Sequence, residues 1–147
     1  MKKIFITFLV AASLIACKGT DKKAEQPTLT KELKEEALKD TANYTSIEWL
    51  GSTSTNLGKL KKDNTVEVSF RFKNTGTKNL VIEDVTAQCG CTIPEKPAKA
   101  FAPGEEGVIK AKYNGSGSGA ITKQIYVTAN TNPLKTHTLT FTGEVIE

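Results

Sequence analysis

One histidine, one tryptophan, one methionine and three cysteines occur among 147 residues, and each scarcity removes a class of chemistry. A single imidazole, His137, leaves little for acid–base catalysis, and neither Gly-x-Ser-x-Gly nor His-Glu-x-x-His is present. A Cys89 nucleophile served by His137 is compatible with their spacing, because such partners need only meet in space. No enzyme activity is expected from so thin a set. Zinc is disfavoured too: structural sites take four ligands, and beyond Cys89 and Cys91 only His137 and carboxylates remain. No cofactor is expected. Charge of one sign does not dominate, with 20 Lys and Arg against 16 Asp and Glu. A formal surplus of +4 is weak evidence for an anionic partner, and no nucleic acid is expected. After residue 17 no apolar run is long enough to span a bilayer.

What the chain does have begins at its N-terminus. Lys2 and Lys3 precede an apolar stretch from Ile4 to Val10, continued by Ala11, Ala12 and Leu14, which is too short for an ordinary membrane span and is built like a secretory signal. It closes on Leu14-Ile15-Ala16-Cys17, which resembles the lipobox of bacterial lipoproteins. That resemblance implies removal of residues 1–16 and acylation of Cys17 on sulfur and on its new amino group. Several chains such as palmitate make a stable anchor, since each buried methylene contributes about 0.8 kcal/mol. Lys18 stands where some bacteria place the aspartate of inner-membrane retention, so the expected address is the outer membrane. A plain secretory signal, cut near Ala12, is the competing reading. The mature chain of 131 residues carries a net charge of +2.

Lys18 to Asp40 holds six basic and six acidic residues and reads as a tether. Leu29, Leu33, Ala37 and Leu38 recur at helical spacing within it, so Thr30 to Lys39 is a candidate short helix, marginal by itself. Asp40-Thr41-Ala42 resembles the acceptor of bacterial O-glycosylation systems, with Thr41 as the modified residue. Chance is the competing account of so short a pattern. The expected organisation is a signal over 1–16, a lipidated and flexible segment over 17–43, and one folded domain over 44–147.

In that domain the hydrophobic period changes to two. Val66, Val68, Phe70 and Phe72 alternate with Thr65, Glu67, Ser69 and Arg71; Ile125, Val127 and Ala129 alternate with Gln124, Tyr126 and Thr128; and Leu139, Phe141 and Val145 alternate with Thr138, Thr140 and Thr142. Ile47–Leu50, Leu80–Ala87 and Gly107–Tyr113 are less regular strand candidates. Asn74-Thr75-Gly76 and Pro103-Gly104 read as hairpin turns, the second with the fixed φ and positive φ of a type II turn. Six or seven strands without intervening helices predict an antiparallel β-sandwich of immunoglobulin type.

Six short motifs then occur in a telling order: Leu57-Gly58; Val66 to Phe72 with Lys73-Asn74-Thr75-Gly76; Leu80-Val81-Ile82; Cys89-Gly90-Cys91-Thr92; Ala102-Pro103-Gly104-Glu105; and Thr142-Gly143-Glu144-Val145. Together they resemble the domain of unknown function 1573 family over most of residues 47–146. The resemblance implies an immunoglobulin-like sandwich common in secreted and lipid-anchored envelope proteins, and it brings no activity.

Cys89-Gly90-Cys91 is the constellation with chemical promise. In a regular strand its two Cα atoms would stand roughly 6.6 Å apart, so a disulfide needs a bent backbone, for which Gly90 offers positive φ. A local disulfide, a Cu(I) site of two thiolates and a redox dithiol remain open. Gly115-Ser116-Gly117-Ser118-Gly119 lacks the Gly-Lys-Ser/Thr of a phosphate loop and reads as a hairpin loop. Lys59, Lys61 and Lys62 read as a solvated turn. By alternation His137 is placed at the surface and Tyr126 outward; Trp49, Tyr113 and Tyr126 are candidates for a partner face, with packing in the sandwich the competing account of Trp49. The function expected is a lipid-anchored binding or scaffolding module for a protein or glycan, through a sheet edge or the end loops; the alternative is a thiol-redox or Cu(I) protein using Cys89 and Cys91.

Overall fold

Alternation decides the central strands. In β3 (Val66–Asn74), Val68, Phe70 and Phe72 are buried while Glu67, Ser69 and Arg71 face water. Each large apolar side chain taken inside contributes about 1.5–3 kcal/mol. The same division runs through β6 (Glu106–Tyr113), β7 (Gly119–Ala129) and β8 (Thr136–Ile146), whose Ile109, Tyr113, Ile125, Val127, Leu139 and Phe141 are wholly buried. The computed structural model describes residues 41–147. The expected signal segment, Cys17, the expected tether up to residue 40 and the candidate helix over Thr30–Lys39 lie outside the described residues.

Four further strands complete the fold: β1 (Ile47–Trp49), β2 (Ser54–Lys61), β4 (Ile82–Ala87) and β5 (Thr92–Glu95). One sheet is ordered β1-β3-β6-β5 and the other β2-β8-β7-β4, with the core between them. The all-β sandwich expected from the sequence is the fold. It has eight strands, because β2 and β5 escape a reading by alternation. One of its pairings, β2 with β8, is parallel, and the others are antiparallel.

β2 hides its pattern through a bulge. Asn56 pairs with Thr142, but Glu144, two residues on, pairs with Lys59, so β2 spends one extra residue. Gly58 takes φ 68°, and its N–H donates to Asn56 Oδ1 at 2.8 Å. The inserted residue lets Leu57 and Leu60, three apart, both pack on the core. Lys59 and Lys61 are therefore exposed strand residues rather than part of a turn. A register shift between Ile82 and Asp84 does the same in β4, where Ile82 and Val85 are both buried. Both edges of the second sheet are thus bulged. Those of the first are a three-residue β1 and a four-residue β5 containing Pro94.

Two expected hairpins are connections between sheets. Asn74-Thr75-Gly76 carries the chain from β3 in the first sheet toward β4 in the second. Asn74 is buried with every polar group of its amide in use: Oδ1 accepts from Thr45 Oγ1 (2.8 Å) and Gly76 N (3.1 Å), and Nδ2 donates to the carbonyls of Lys78 (2.7 Å) and Phe101 (2.9 Å). The Gly115–Gly119 loop likewise passes from β6 to β7, in the opposite sheet, where the Gly115 carbonyl accepts from Asp63 N–H. The turn at Pro103-Gly104 forms as expected: Glu105 N–H donates to the Ala102 carbonyl (2.9 Å), with Gly104 at φ 81°.

Candidate functional site

Cys89 and Cys91 sit where the chain leaves β4 and enters β5, passing from one sheet to the other. Their sulfurs are bonded, with Cα atoms 5.3 Å apart. The bend is a turn in which Thr92 N–H donates to the Cys89 carbonyl, while Gln88 N–H donates to Gln124 and the Cys91 carbonyl accepts from Asn114. Gly90 does not adopt positive φ, contrary to the expectation, and the space beside it is open. Cys91 packs against the core. As one disulfide the pair presents no thiolates to hold Cu(I). Among the described residues no group of three or more His, Cys, Asp and Glu could hold a metal ion.

His137 is not the surface residue expected. It shares inward parity with Leu139 and Phe141 at the start of β8 and is half-buried. Its Nε2 lies 2.8 Å from Thr131 Oγ1, and its ring meets Trp49 edge-on at 5.9 Å between centroids. Burial pushes its pKa below the ordinary imidazole value, against a smaller upward pull from a hydrogen bond with the Leu134 backbone. With Cys89 in a disulfide and His137 engaged by Thr131, the nucleophile–base pair is not formed.

The aromatic candidates separate. Trp49 packs on Phe72 (5.8 Å) and the core, the sandwich position expected of it. Tyr113 is wholly buried and belongs to no face, its hydroxyl donating to the Ser116 carbonyl. Tyr126 points outward from β7, half-exposed, with its hydroxyl donating to Gln124 Oε1 at 2.9 Å. Thr41, the glycosylation candidate, begins a single 3-10 turn over Thr41–Asn43.

The two outer faces of the sandwich are chemically unlike. On the first sheet, β3, β6 and β5 carry a ladder of ion pairs: Arg71–Glu106 (2.7 Å), Lys110–Glu67 (3.3 Å) and Lys112–Glu95 (3.2 Å). A hollow of about 400 Å³ on this side has Pro97, Phe101 and Val108 in its lining, with Glu95, Lys99 and Glu106 beside them.

On the second sheet, register sets neutral side chains in rows. Asn56, Thr142 and Thr122 form the first, Ser54, Thr140 and Gln124 the second, and Thr138, Tyr126 and Thr86 the third. A fourth holds Thr136, Thr128 and, at the edge strand, Asp84. At the strand rise the four rows span about 20 Å. The hydroxyls of the seven threonines make no hydrogen bond within the protein among the described residues. Beyond the first row lies a hollow of about 360 Å³ lined by Asn56, Thr122, Thr142 and Glu144, among others, next to the Gly58 bulge. Alternation within β7 and β8 marks Thr128, Thr138, Thr140 and Thr142 as outward, but the alignment of all seven threonines into one surface depends on cross-strand register.

Comparison with solved structures returns the same sandwich in other settings. A protein of unknown function from Porphyromonas gingivalis W83 superposes with a TM-score of 0.62 at 17% identity, covering 71% of this chain and 49% of its own. The PapD-like domain 7 of human CEP192 gives 0.56 at 14% identity, covering 71% and 87%. The VesB protease of Vibrio cholerae gives 0.54 at 13%, covering 76% of this chain and 35% of the protease. This chain thus spans about half of the Porphyromonas protein. At these identities the likeness is one of fold, PapD-like and immunoglobulin-like. A search of curated proteins found no match. A family model does match, over residues 47–145, and the chain belongs to the proteins of unknown function grouped as DUF1573.

Proposed function

We propose that this protein is a non-catalytic binding module of the bacterial envelope, held at the outer membrane by acyl chains on Cys17 and presenting its sandwich above a polar tether. The observation that carries this reading is the asymmetry of the two outer faces: one crossed by ion pairs between its own side chains, the other a row-ordered surface whose threonine hydroxyls have no partner within the protein among the described residues. Ion pairs that already satisfy one another have little to offer a partner. Edge pairing is disfavoured as the docking mode, since every edge strand is short or bulged and such edges resist strand addition.

Two experiments test it on the full chain in its own cell envelope. Cys17→Ser is expected to abolish incorporation of labelled palmitate and release the protein from the membrane fraction; unchanged labelling overturns the anchor. A photoreactive benzophenone side chain placed at Thr138 is expected to give a mass-shifted adduct, and one at Ser69 on the ion-paired face is not. Adducts at Ser69 alone, or at neither position, overturn the binding-face reading.

A further inference from the structure

We infer that the partner of the second sheet's outer face is an uncharged polysaccharide chain, laid along β7 and β8 with Tyr126 as its stacking platform. The inference rests on the binding-module reading and names the ligand class of that same face.

Charge is the first reason. The domain is rich in Lys, Glu and Asp, and the first sheet uses them in pairs across its outer surface. Threonine suits a strand because its branched Cβ is stiff, but the charged residues of the first sheet serve solubility there equally well. On the second sheet the three rows from Asn56–Thr142–Thr122 to Thr138–Tyr126–Thr86 carry no ionisable group except the Tyr126 phenol. Charge returns only outside them, at Asp84, Lys59 and Glu144. A neutral surface gains nothing from a polyanion or a basic peptide, and covering it with a neutral chain removes no ion from water.

Hydrogen-bond character is the second. Each threonine hydroxyl donates one bond and accepts two, as each sugar hydroxyl does, so the two can pair without a fixed polarity. A peptide bound by strand addition instead demands ordered backbone donors and acceptors, which an open sheet edge supplies and a sheet face does not. Strand pleating repeats the hydroxyls at about 6.6 Å along the chain and about 4.8 Å across it. The surface therefore suits a polymer that repeats its own hydroxyls.

The third reason is Tyr126. It stands between Thr86 and Thr138 in its row, with its hydroxyl tied to Gln124, which limits the ring's freedom before anything binds. An amphipathic ring with few torsions to lose is a favoured anchor in a contact. Its face covers the C–H side of a pyranose while the threonines reach the equatorial hydroxyls. The hollow of about 360 Å³ beyond the first row, with Lys59 and Glu144 in its lining, marks where the neutral face ends.

The test is affinity electrophoresis of the full acylated protein in detergent, through native gels containing mixed-linkage β-glucan, xyloglucan, mannan or dextran. Retardation in at least one of the four is expected. Tyr126→Ala should then weaken binding about tenfold, as loss of an aromatic anchor commonly does. Tyr126→Phe should keep most of it, Thr138→Lys should weaken it, and Ser69→Lys should leave it unchanged. Urea midpoints equal to that of the unaltered protein establish that these outward substitutions preserve the fold. No retardation in any of the four gels overturns the inference, as does retardation unaffected by Tyr126→Ala. Binding only to a charged polymer such as alginate also overturns it. Adducts to protein from Thr138, with no polysaccharide bound, leave the binding-module reading standing and defeat this one; absence of both defeats both.

Discussion

Asn74 shows how much a single side chain can hold in this sandwich. Its amide bonds to four partners from three segments: Thr45 before β1, Lys78 and Gly76 after β3, and Phe101 ahead of β6. Asn74→Ala removes all four at once and leaves buried groups unpaired, so a loss of about 2–4 kcal/mol is expected, read as a lower urea midpoint. Asn130 plays a matching part, its Oδ1 accepting from Val81 N–H while its Nδ2 donates to the carbonyls of Asn43 and Asn79. Turn chemistry marks Asn74 in the sequence, but nothing local separates an asparagine that bends the chain from one buried as a clamp.

His137 carries the pH dependence. Its folded pKa is lowered, so the unfolded chain binds the proton more readily than the folded one. The stability this contributes is fully present above the ordinary value of about 6.5 and is lost as the pH falls below it, levelling off below the folded value. Denaturation midpoints should therefore fall between neutral and mildly acidic pH, and His137→Gln should flatten that part of the profile. Trp49, edge-on to the same ring, is a local reporter: its fluorescence should titrate with His137 and stop doing so in the variant.

At the scale of elements, the strands legible in the sequence are those whose two faces meet core and water without interruption. β3, β7 and β8 are of that kind. β2 was not, because the bulge at Gly58 puts two core leucines three residues apart and breaks the period. Gly58→Val should cost about 1–3 kcal/mol through backbone strain alone, since nothing lies within 4 Å of the added Cβ. A smaller loss for Gly58→Ala than for Gly58→Val, measured by urea denaturation, is the companion outcome. β5 is illegible for a different reason: four residues with a proline give too short a pattern, and only its pairing with β6 makes it a strand.

Across the whole molecule, the Cys89–Cys91 disulfide fixes the passage between the sheets on the side where β4 and β5 form their edges. So small a ring restricts the unfolded chain little, and replacing both cysteines by serine should lower stability by only about 1–2 kcal/mol. The binding-module reading expects that double variant to keep the benzophenone adduct at Thr138. Loss of the adduct in a folded variant would assign the corner a direct part in binding.

The fold class, the family and the outward parity of Thr128, Thr138, Thr140 and Thr142 are legible in the chain alone, because hydrophobic alternation and turn chemistry are local and survive without knowledge of neighbours. Tertiary structure decided the rest. Which strands pair, and in what register, depends on contacts between residues far apart in the chain. Only that register turned five scattered threonines and one tyrosine into a continuous uncharged face, and only the packing of the sheets set His137 beside Trp49 and made two apparent hairpins into crossings between sheets.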